Sequence, residues 1–154
     1  MGTDEFIQKI GPAAHRVCLA YNLPASVCIA QAAIESAWGR YVIGEYNFFG
    51  RKWNGVGPCK SLPTEEVDSN GNWYTVTANF QLYDSLDAAI EDWCQLMRND
   101  SNYATAVEIW DRTWNLTEFV TAMAKKYATD PDYARKVLST IAANNLTVYD
   151  HPEA

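Results

Sequence analysis

The chain of 154 residues lacks a long hydrophobic run. No stretch approaches the roughly 18 consecutive apolar residues that a membrane-spanning helix needs. The first eleven residues also lack the basic start and apolar centre of a signal peptide. We therefore expect no contact with a membrane, and we expect any export to be directed from outside this segment.

Basic residues are few. The sequence has 12 Lys and Arg against 19 Asp and Glu, which gives a net charge of -7. Nucleic acids and anionic membranes attract basic proteins, so this balance disfavours both as partners. We expect a monomer that binds a neutral or cationic ligand.

Cysteine and histidine are also sparse, with four Cys and two His in the chain. The cysteines form no C-x-x-C pair, and a structural zinc site needs about four such ligands in a suitable spacing. We therefore expect no metal and no cofactor. Buried thiols are the expected state of the cysteines, although Cys18 and Cys28 could pair across a short turn between helices.

What the sequence does have is 48% hydrophobic and 20% charged residues, enough for one buried core. Helical periodicity runs from Phe6 to Tyr21, resumes at Pro24 towards Trp38, and returns from Leu86 onward. Between these segments, Asn70-Gly71 predicts a hairpin turn, and apolar residues alternate after it. The pattern predicts an α+β fold, mainly α, with one small antiparallel hairpin. We place the domain at residues 1–148 and expect 149–154 to be a tail or linker.

A single carboxylate, Glu35, lies in the otherwise almost uncharged stretch IAQAAIESAWGR. Helical spacing predicts that Gln31, Glu35 and Trp38 share one face. The acid is then either solvated near the helix end or held in a partly apolar cleft. In a cleft, desolvation would raise its pKa and make it a proton donor near neutral pH.

Five sequence blocks carry a resemblance to a known family: AQAAIESAWG, YNFFGRK, TEE, FQLYDS and YATDPDYARKVL. Together they resemble the glucosaminidase domains of glycoside hydrolase family 73, which includes flagellar-rod and autolysin peptidoglycan hydrolases. The resemblance implies a lysozyme-like helical lobe with a β-lobe across a cleft. It also implies cleavage of the β-1,4 bond after N-acetylglucosamine in peptidoglycan. Such a domain acts on the bacterial cell wall, either secreted or released by a phage.

The resemblance assigns two catalytic acids. Glu35 matches the general acid of the family, although Ala37 stands where the family usually has glycine. Glu66 matches a second acid in a T-x-E pattern, and strand alternation sends the adjacent Glu65 to the opposite face. Either an inverting or a substrate-assisted route stays open.

The resemblance and the helix face also indicate substrate-binding residues. In YNFFGRKW, the amide of Asn47 can form hydrogen bonds to sugar hydroxyls, and the rings of Phe48 and Phe49 can stack on sugars. Gly50 lets the backbone approach a ligand. Tyr133 is expected to orient a water or the acetamido group, and Gln81 replaces a basic residue of the family's F-R-x-Y block. For Phe48, Phe49 and Tyr133, packing in the core is the alternative. The predicted substrate-binding set is Gln31, Trp38, Asn47, Phe48, Phe49, Gly50, Tyr83 and Tyr133.

Three other functions remain open from the sequence. A module that binds peptidoglycan or chitin without cutting it would need only the aromatic loop. A lytic transglycosylase would need one acid and would leave an anhydro sugar. A cysteine peptidase would need a Cys and His pair, and no motif surrounds His15.

Overall fold

The computed structural model describes residues 1–153. It consists of six α-helices, one two-stranded antiparallel sheet and two short 3₁₀ turns, Ser101–Tyr103 and Leu146–Asp150. The helices and strands are α1 Thr3–Ala20, α2 Ala25–Ser36, β1 Cys59–Val67, β2 Trp73–Gln81, α3 Leu86–Asn99, α4 Ala104–Thr113, α5 Leu116–Tyr127 and α6 Tyr133–Ala143. The predicted mainly α, α+β fold class is confirmed.

Helix α2 is the central element of the helical body. All of its residues from Ala25 to Ala33 are buried. It packs against α1, α6 and the C-terminal 3₁₀ turn, and α3 covers the other side of α1. A helix that is apolar all round must be enclosed by others, and its small alanines allow them to approach closely. The last turn of α2 therefore projects from a rigid support.

The start of α2 is capped by a residue from the far end of the chain. Pro24 at the N-cap position has no side chain that accepts a hydrogen bond. The buried carboxylate of Asp150 accepts instead from the Ser26 backbone N–H at 2.8 Å and from its hydroxyl at 2.7 Å. Packing against α2 thus extends to Asp150.

The end of α2 differs from the prediction. The helix stops at Ser36, because the N–H of Trp38 bonds to the carbonyl of Ala33 at 2.8 Å and closes a Schellman motif. Ala37 and Trp38 then adopt left-handed φ angles of 50° and 60°. The expectation that Trp38 shares a helical face with Glu35 is therefore wrong. Its ring packs edge-on against Phe6, with centroids 5.5 Å apart.

The hairpin forms as predicted, with a longer turn. Val67 pairs with Trp73, and the Asp68 carboxylate accepts hydrogen bonds from the backbone of Asn70 and Asn72 in between. Pairing of Glu66 with Tyr74 fixes the strand register. Since successive side chains alternate, Glu65 and Glu66 point to opposite faces, and Glu66 lies on the more buried one.

An irregular loop between α2 and β1 joins the hairpin to the helical body. The Gln81 N–H donates to the carbonyl of Arg51, and the Trp53 N–H donates to that of Asn79, so the loop runs along the end of β2. Asn47 is fully buried and ties this arrangement together. Its amide donates to the carbonyls of Arg51 and Gln81, at 3.0 and 2.9 Å, and accepts from the Arg51 N–H.

Within residues 1–153 the cysteines form no disulfide. Cys18, Cys28 and Cys94 are buried in the core, and Cys59 is half-buried on the hairpin. The sulfur atoms of Cys18 and Cys94 lie 3.7 Å apart, and Cys18 and Cys28, the pair that the sequence allows, are both free thiols. In the same range, no helix combines the length and apolarity that crossing a membrane requires.

Candidate active site

Four segments that are distant in the sequence surround an open cleft of about 400 Å³. They are the last turn of α2, the loop at residues 49–52, the end of α3 with the following 3₁₀ turn, and the end of α5. The lining residues are Glu35, Phe49, Gly50, Arg51, Lys52, Leu96, Asp100, Tyr103 and Tyr127.

Glu35 enters this cleft from the last turn of α2. Although the residue is exposed at the opening, the cleft walls desolvate its carboxylate and raise its pKa. The hydroxyl of Tyr133 lies 3.3 Å from Oε2, and this hydrogen bond favours the charged form and lowers the pKa. Desolvation is the larger effect, so the acid holds its proton to a higher pH than an ordinary glutamate.

A buried chain of hydrogen bonds fixes the direction of the Tyr133 proton. The Trp93 indole donates to Oε1 of Gln31 at 2.7 Å, and an indole N–H can only donate. The amide nitrogen of Gln31 therefore faces the Tyr133 oxygen, at 3.1 Å, and donates to it. The Tyr133 hydroxyl, having accepted from Gln31, directs its own proton to Glu35.

Tyrosine rings continue from Glu35 along the cleft. Tyr127 stacks on Tyr133 with centroids 5.7 Å apart and an angle of 11° between the rings, and Tyr103 follows at 6.3 Å from Tyr127. Burial raises the pKa of the Tyr127 and Tyr133 hydroxyls. They are therefore neutral hydrogen-bonding groups at physiological pH, and of the two rings Tyr127 is the one in the cleft lining, because Tyr133 is buried.

Arg51 and Lys52 border the cleft as a cationic wall, and Glu35 and Asp100 are the acidic residues of the same lining. The Arg51 Nε donates to Asp92 at 3.1 Å, and the Tyr83 hydroxyl donates to the same carboxylate oxygen. Burial and Asp92 raise the pKa of Tyr83, which keeps it a donor. Tyr83 thus acts in the structure through Asp92, as a support for Arg51.

Three of the predicted substrate-binding residues are fully buried, which corrects the expectation that they touch substrate. Gln31 lies beneath Tyr133 as described. The side-chain amide of Asn47 donates its hydrogen bonds to backbone carbonyls of the loop and of β2. Phe48 packs edge-on against Phe6, with centroids 5.9 Å apart. Sequence patterns indicate which face of a helix or loop a residue lies on, but they do not indicate how deeply its side chain is buried.

The other predicted residues divide into two groups. Glu35, Phe49 and Gly50 line the cleft, and Tyr133 contacts Glu35. Trp38 and Glu66 are outside the lining: Trp38 because it has left the helix, and Glu66 because it projects from the hairpin.

Several lining residues were not predicted. Arg51 lies in the segment YNFFGRKW, where its charge beside aromatic and glycine residues is the one sequence signal of a role in the cleft. Tyr127 lies at the apolar spacing of α5, which in sequence is indistinguishable from a core position. On α3, Leu96 and Asp100 follow Asp92 at intervals of four, so they share the face that meets the cleft.

A carboxylic acid with a raised pKa, in an open cleft lined by aromatic rings, is the arrangement of a glycoside hydrolase. Comparison with known families agrees with this class. The sequence model of the glucosaminidase family, described as mannosyl-glycoprotein endo-β-N-acetylglucosaminidase, matches residues 11–146. The chain therefore belongs to the glucosaminidase family, glycoside hydrolase family 73.

Individual relatives support this assignment. The exo-glucosaminidase LytG of Bacillus subtilis is 32% identical over 153 residues, covering 94% of this chain and 52% of the relative. A probable N-acetylmuramidase of Lactococcus lactis is 32% identical over 156 residues, covering 96% and 35%. The crystal structure of the catalytic domain of the Listeria monocytogenes autolysin Auto superposes with a TM-score of 0.85 at 35% identity, covering 96% of this chain and 86% of that domain.

The chain spans about half or less of the length of these two curated relatives, and about a quarter or less of two others. The match thus concerns one domain of longer proteins. One of these relatives is named as a glucosaminidase and the other as a probable N-acetylmuramidase.

Proposed function

We propose that this domain hydrolyses the β-1,4 bond that follows N-acetylglucosamine in peptidoglycan, with Glu35 as general acid. The observation that carries the proposal is Glu35 itself: a cleft acid whose pKa is raised by desolvation and whose orientation is set by Tyr133. We further propose that the domain works as a monomer on the bacterial cell wall, after secretion or phage release, without nucleic acid or membrane as a partner.

In this mechanism Glu35 gives its proton to the leaving glycosidic oxygen. The Tyr133 hydrogen bond fixes the carboxyl group so that one oxygen faces the cleft. As negative charge develops on Glu35, the same bond strengthens and stabilises it. Tyr127, which is half-buried in the cleft lining, offers a ring surface to a neighbouring sugar.

Glu66 is the proposed second acid. Its register on β1 places it on the half-buried face of the hairpin with Leu62 and Thr64, while Glu65 faces solvent. From that face a carboxylate can activate a water or stabilise the acetamido group of the substrate during attack. Both routes use the hairpin as the second wall of the catalytic centre.

A test compares glutamine variants of the acids on purified peptidoglycan. Glu35→Gln keeps the shape and removes the proton donor, so turnover should fall by about 10² or more. Glu66→Gln should impair hydrolysis far more than Glu65→Gln, which changes the neighbouring carboxylate on the other face. Glu118→Gln on the exposed start of α5 serves as a control. Full activity of folded Glu35→Gln would remove Glu35 from the mechanism.

One observation favours a second candidate, a lytic transglycosylase. Of the two proposed acids, Glu35 lines the cleft and Glu66 does not. A single acid is sufficient when a hydroxyl of the substrate attacks its own anomeric carbon. The product would then be an anhydro sugar, and its presence separates the two reactions.

A further inference from the structure

Arg51 is fixed in the cleft wall through both its backbone and its side chain. Its N–H and carbonyl are held by the buried amide of Asn47, each at 3.0 Å, and the carbonyl also accepts from Gln81. Its Nε is bonded to Asp92. A long flexible side chain is thus held in place before any ligand arrives, which removes much of the entropic cost of binding through it.

The outer part of the guanidinium is still free to bind. Within residues 1–153, Nε makes the hydrogen bond to Asp92, while Nη1 and Nη2 make none. The side chain is 29% exposed, enough to meet a ligand in the cleft. Lys52 follows directly, is exposed, and forms no ion pair in the same range. A planar fork with unused N–H groups matches the two oxygens of a carboxylate.

The cationic wall also stands out against the charge of the chain. With a net charge of -7, the protein as a whole repels anions. The proposed substrate nevertheless carries carboxylates: those of the peptide stems, and the lactyl carboxylate of muramic acid where a stem has been removed. A local cation in the cleft would offset this repulsion for a strand that carries these groups.

We propose that Arg51, assisted by Lys52, forms a carboxylate-binding subsite that recognises the acidic substituents of peptidoglycan and so selects it over uncharged glycans. This inference rests on the proposed function. Asp92 and Tyr83 act as positioning residues, because they hold the guanidinium through Nε and leave Nη1 and Nη2 as donors for a ligand. The subsite explains why a charged residue is built into an otherwise aromatic loop.

The test combines a charge change in the enzyme with one in the substrate. Arg51→Met is compared with the wild type on peptidoglycan strands and on the same strands after carbodiimide coupling to methylamine, which turns carboxylates into neutral amides. On untreated strands KM should rise by roughly tenfold or more, as for a lost charged hydrogen bond. On amidated strands the two enzymes should have the same KM. Arg16→Met, which breaks an exposed Arg–Asp pair away from the cleft, is the matched control.

A third substrate identifies the source of the carboxylate. Strands stripped of their stems by an amidase keep only lactyl carboxylates, so an effect of Arg51→Met that persists there assigns the subsite to the lactyl group, and one that disappears assigns it to the stem. An equal loss on amidated and untreated strands would overturn the proposal. If the wild type cuts none of the three substrates, the proposed function has failed instead.

Discussion

At the scale of single residues, the state of Glu35 depends on two opposing influences. The cleft walls raise its pKa by removing water, while the hydrogen bond from Tyr133 lowers it. A general acid must be protonated when the leaving oxygen arrives, so the pKa of Glu35 sets the basic limb of the rate profile against pH. Both influences can be changed one at a time.

Removing the Tyr133 hydroxyl removes the hydrogen bond that lowers the pKa of Glu35, so that only desolvation acts on this pKa. We expect Tyr133→Phe to raise the pKa of Glu35 and to move the basic limb to higher pH, even as the maximal rate falls because the acid is less well oriented. The measurement is a rate profile against pH on soluble glycan fragments, with folding checked at each pH.

Two further variants show whether the hydrogen bond, and not the ring, is responsible. Gln31→Met fills similar space but removes the donor that directs the Tyr133 proton, so the basic limb should also shift. Tyr127→Phe removes a hydroxyl from the stacked ring, which makes no hydrogen bond to Glu35 within residues 1–153, and should leave the limb in place. A basic limb that stays fixed in folded Tyr133→Phe would contradict this account.

The sequence was sufficient to find Glu35 and Tyr133, because each lies in a short block with a recognisable pattern. It was not sufficient for Arg51 and Asp92, which form an ion pair across 41 positions of the chain. It also misjudged Gln31, whose helical position is compatible with both a surface and a core role. Contacts between distant segments decide these cases.

At the scale of elements, α2 carries the proposed acid and is held at both ends by unusual means. The N-terminus of α2 has no capping side chain of its own and is capped by Asp150. At its C-terminus Ala37 occupies a left-handed position where glycine is the favoured residue. The final segment resembles a tail in sequence, because the partner of Asp150 lies 124 positions away. Local patterns cannot reveal such a cap.

The borrowed cap predicts a stability effect far from the cleft. Asp150→Ala leaves the Ser26 N–H and hydroxyl without their buried acceptor, and we expect the free energy of unfolding to fall by about 2 kcal/mol. Asp150→Asn keeps one acceptor oxygen and should lose less. Thermal or denaturant unfolding measures both. Equal stability of Asp150→Ala and wild type would show that the C-terminal turn does not support α2.

The end of α2 predicts a gain in stability. Ala37 has φ and ψ angles of 50° and 53°, where an alanine pays roughly 1–2 kcal/mol and glycine does not. Glycine also costs about 0.5–1 kcal/mol through the entropy of the unfolded chain. We expect Ala37→Gly to raise the free energy of unfolding by about 0.5–1 kcal/mol, measured as above.

The same chemical change in the last turn of a helix provides the control. Ala142→Gly, at an exposed position of α6, should lower stability by up to about 1 kcal/mol, since there the alanine is unstrained. If Ala37→Gly were as destabilising as Ala142→Gly, the left-handed conformation of residue 37 would be in error.

At the scale of the whole molecule, the helical body, the hairpin and their order followed from periodicity and turn residues. The cleft did not, because its lining comes from α2, α3, α5 and one loop, and no local pattern encodes how these pack. The family resemblance supplied what periodicity lacked: it predicted Glu35 as the acid and a β-lobe across the cleft from it. The cationic wall is a property of this chain that only the packed structure displays.

The central claim is that the domain hydrolyses the bond after N-acetylglucosamine. Relatives named as a glucosaminidase and as a muramidase are similarly distant from this chain, so the products must decide. The measurement is mass spectrometry of purified peptidoglycan after digestion and borohydride reduction, with Glu35→Gln as the blank. The account predicts reduced N-acetylglucosamine at the new ends. Reduced muramic acid or anhydro ends would contradict it.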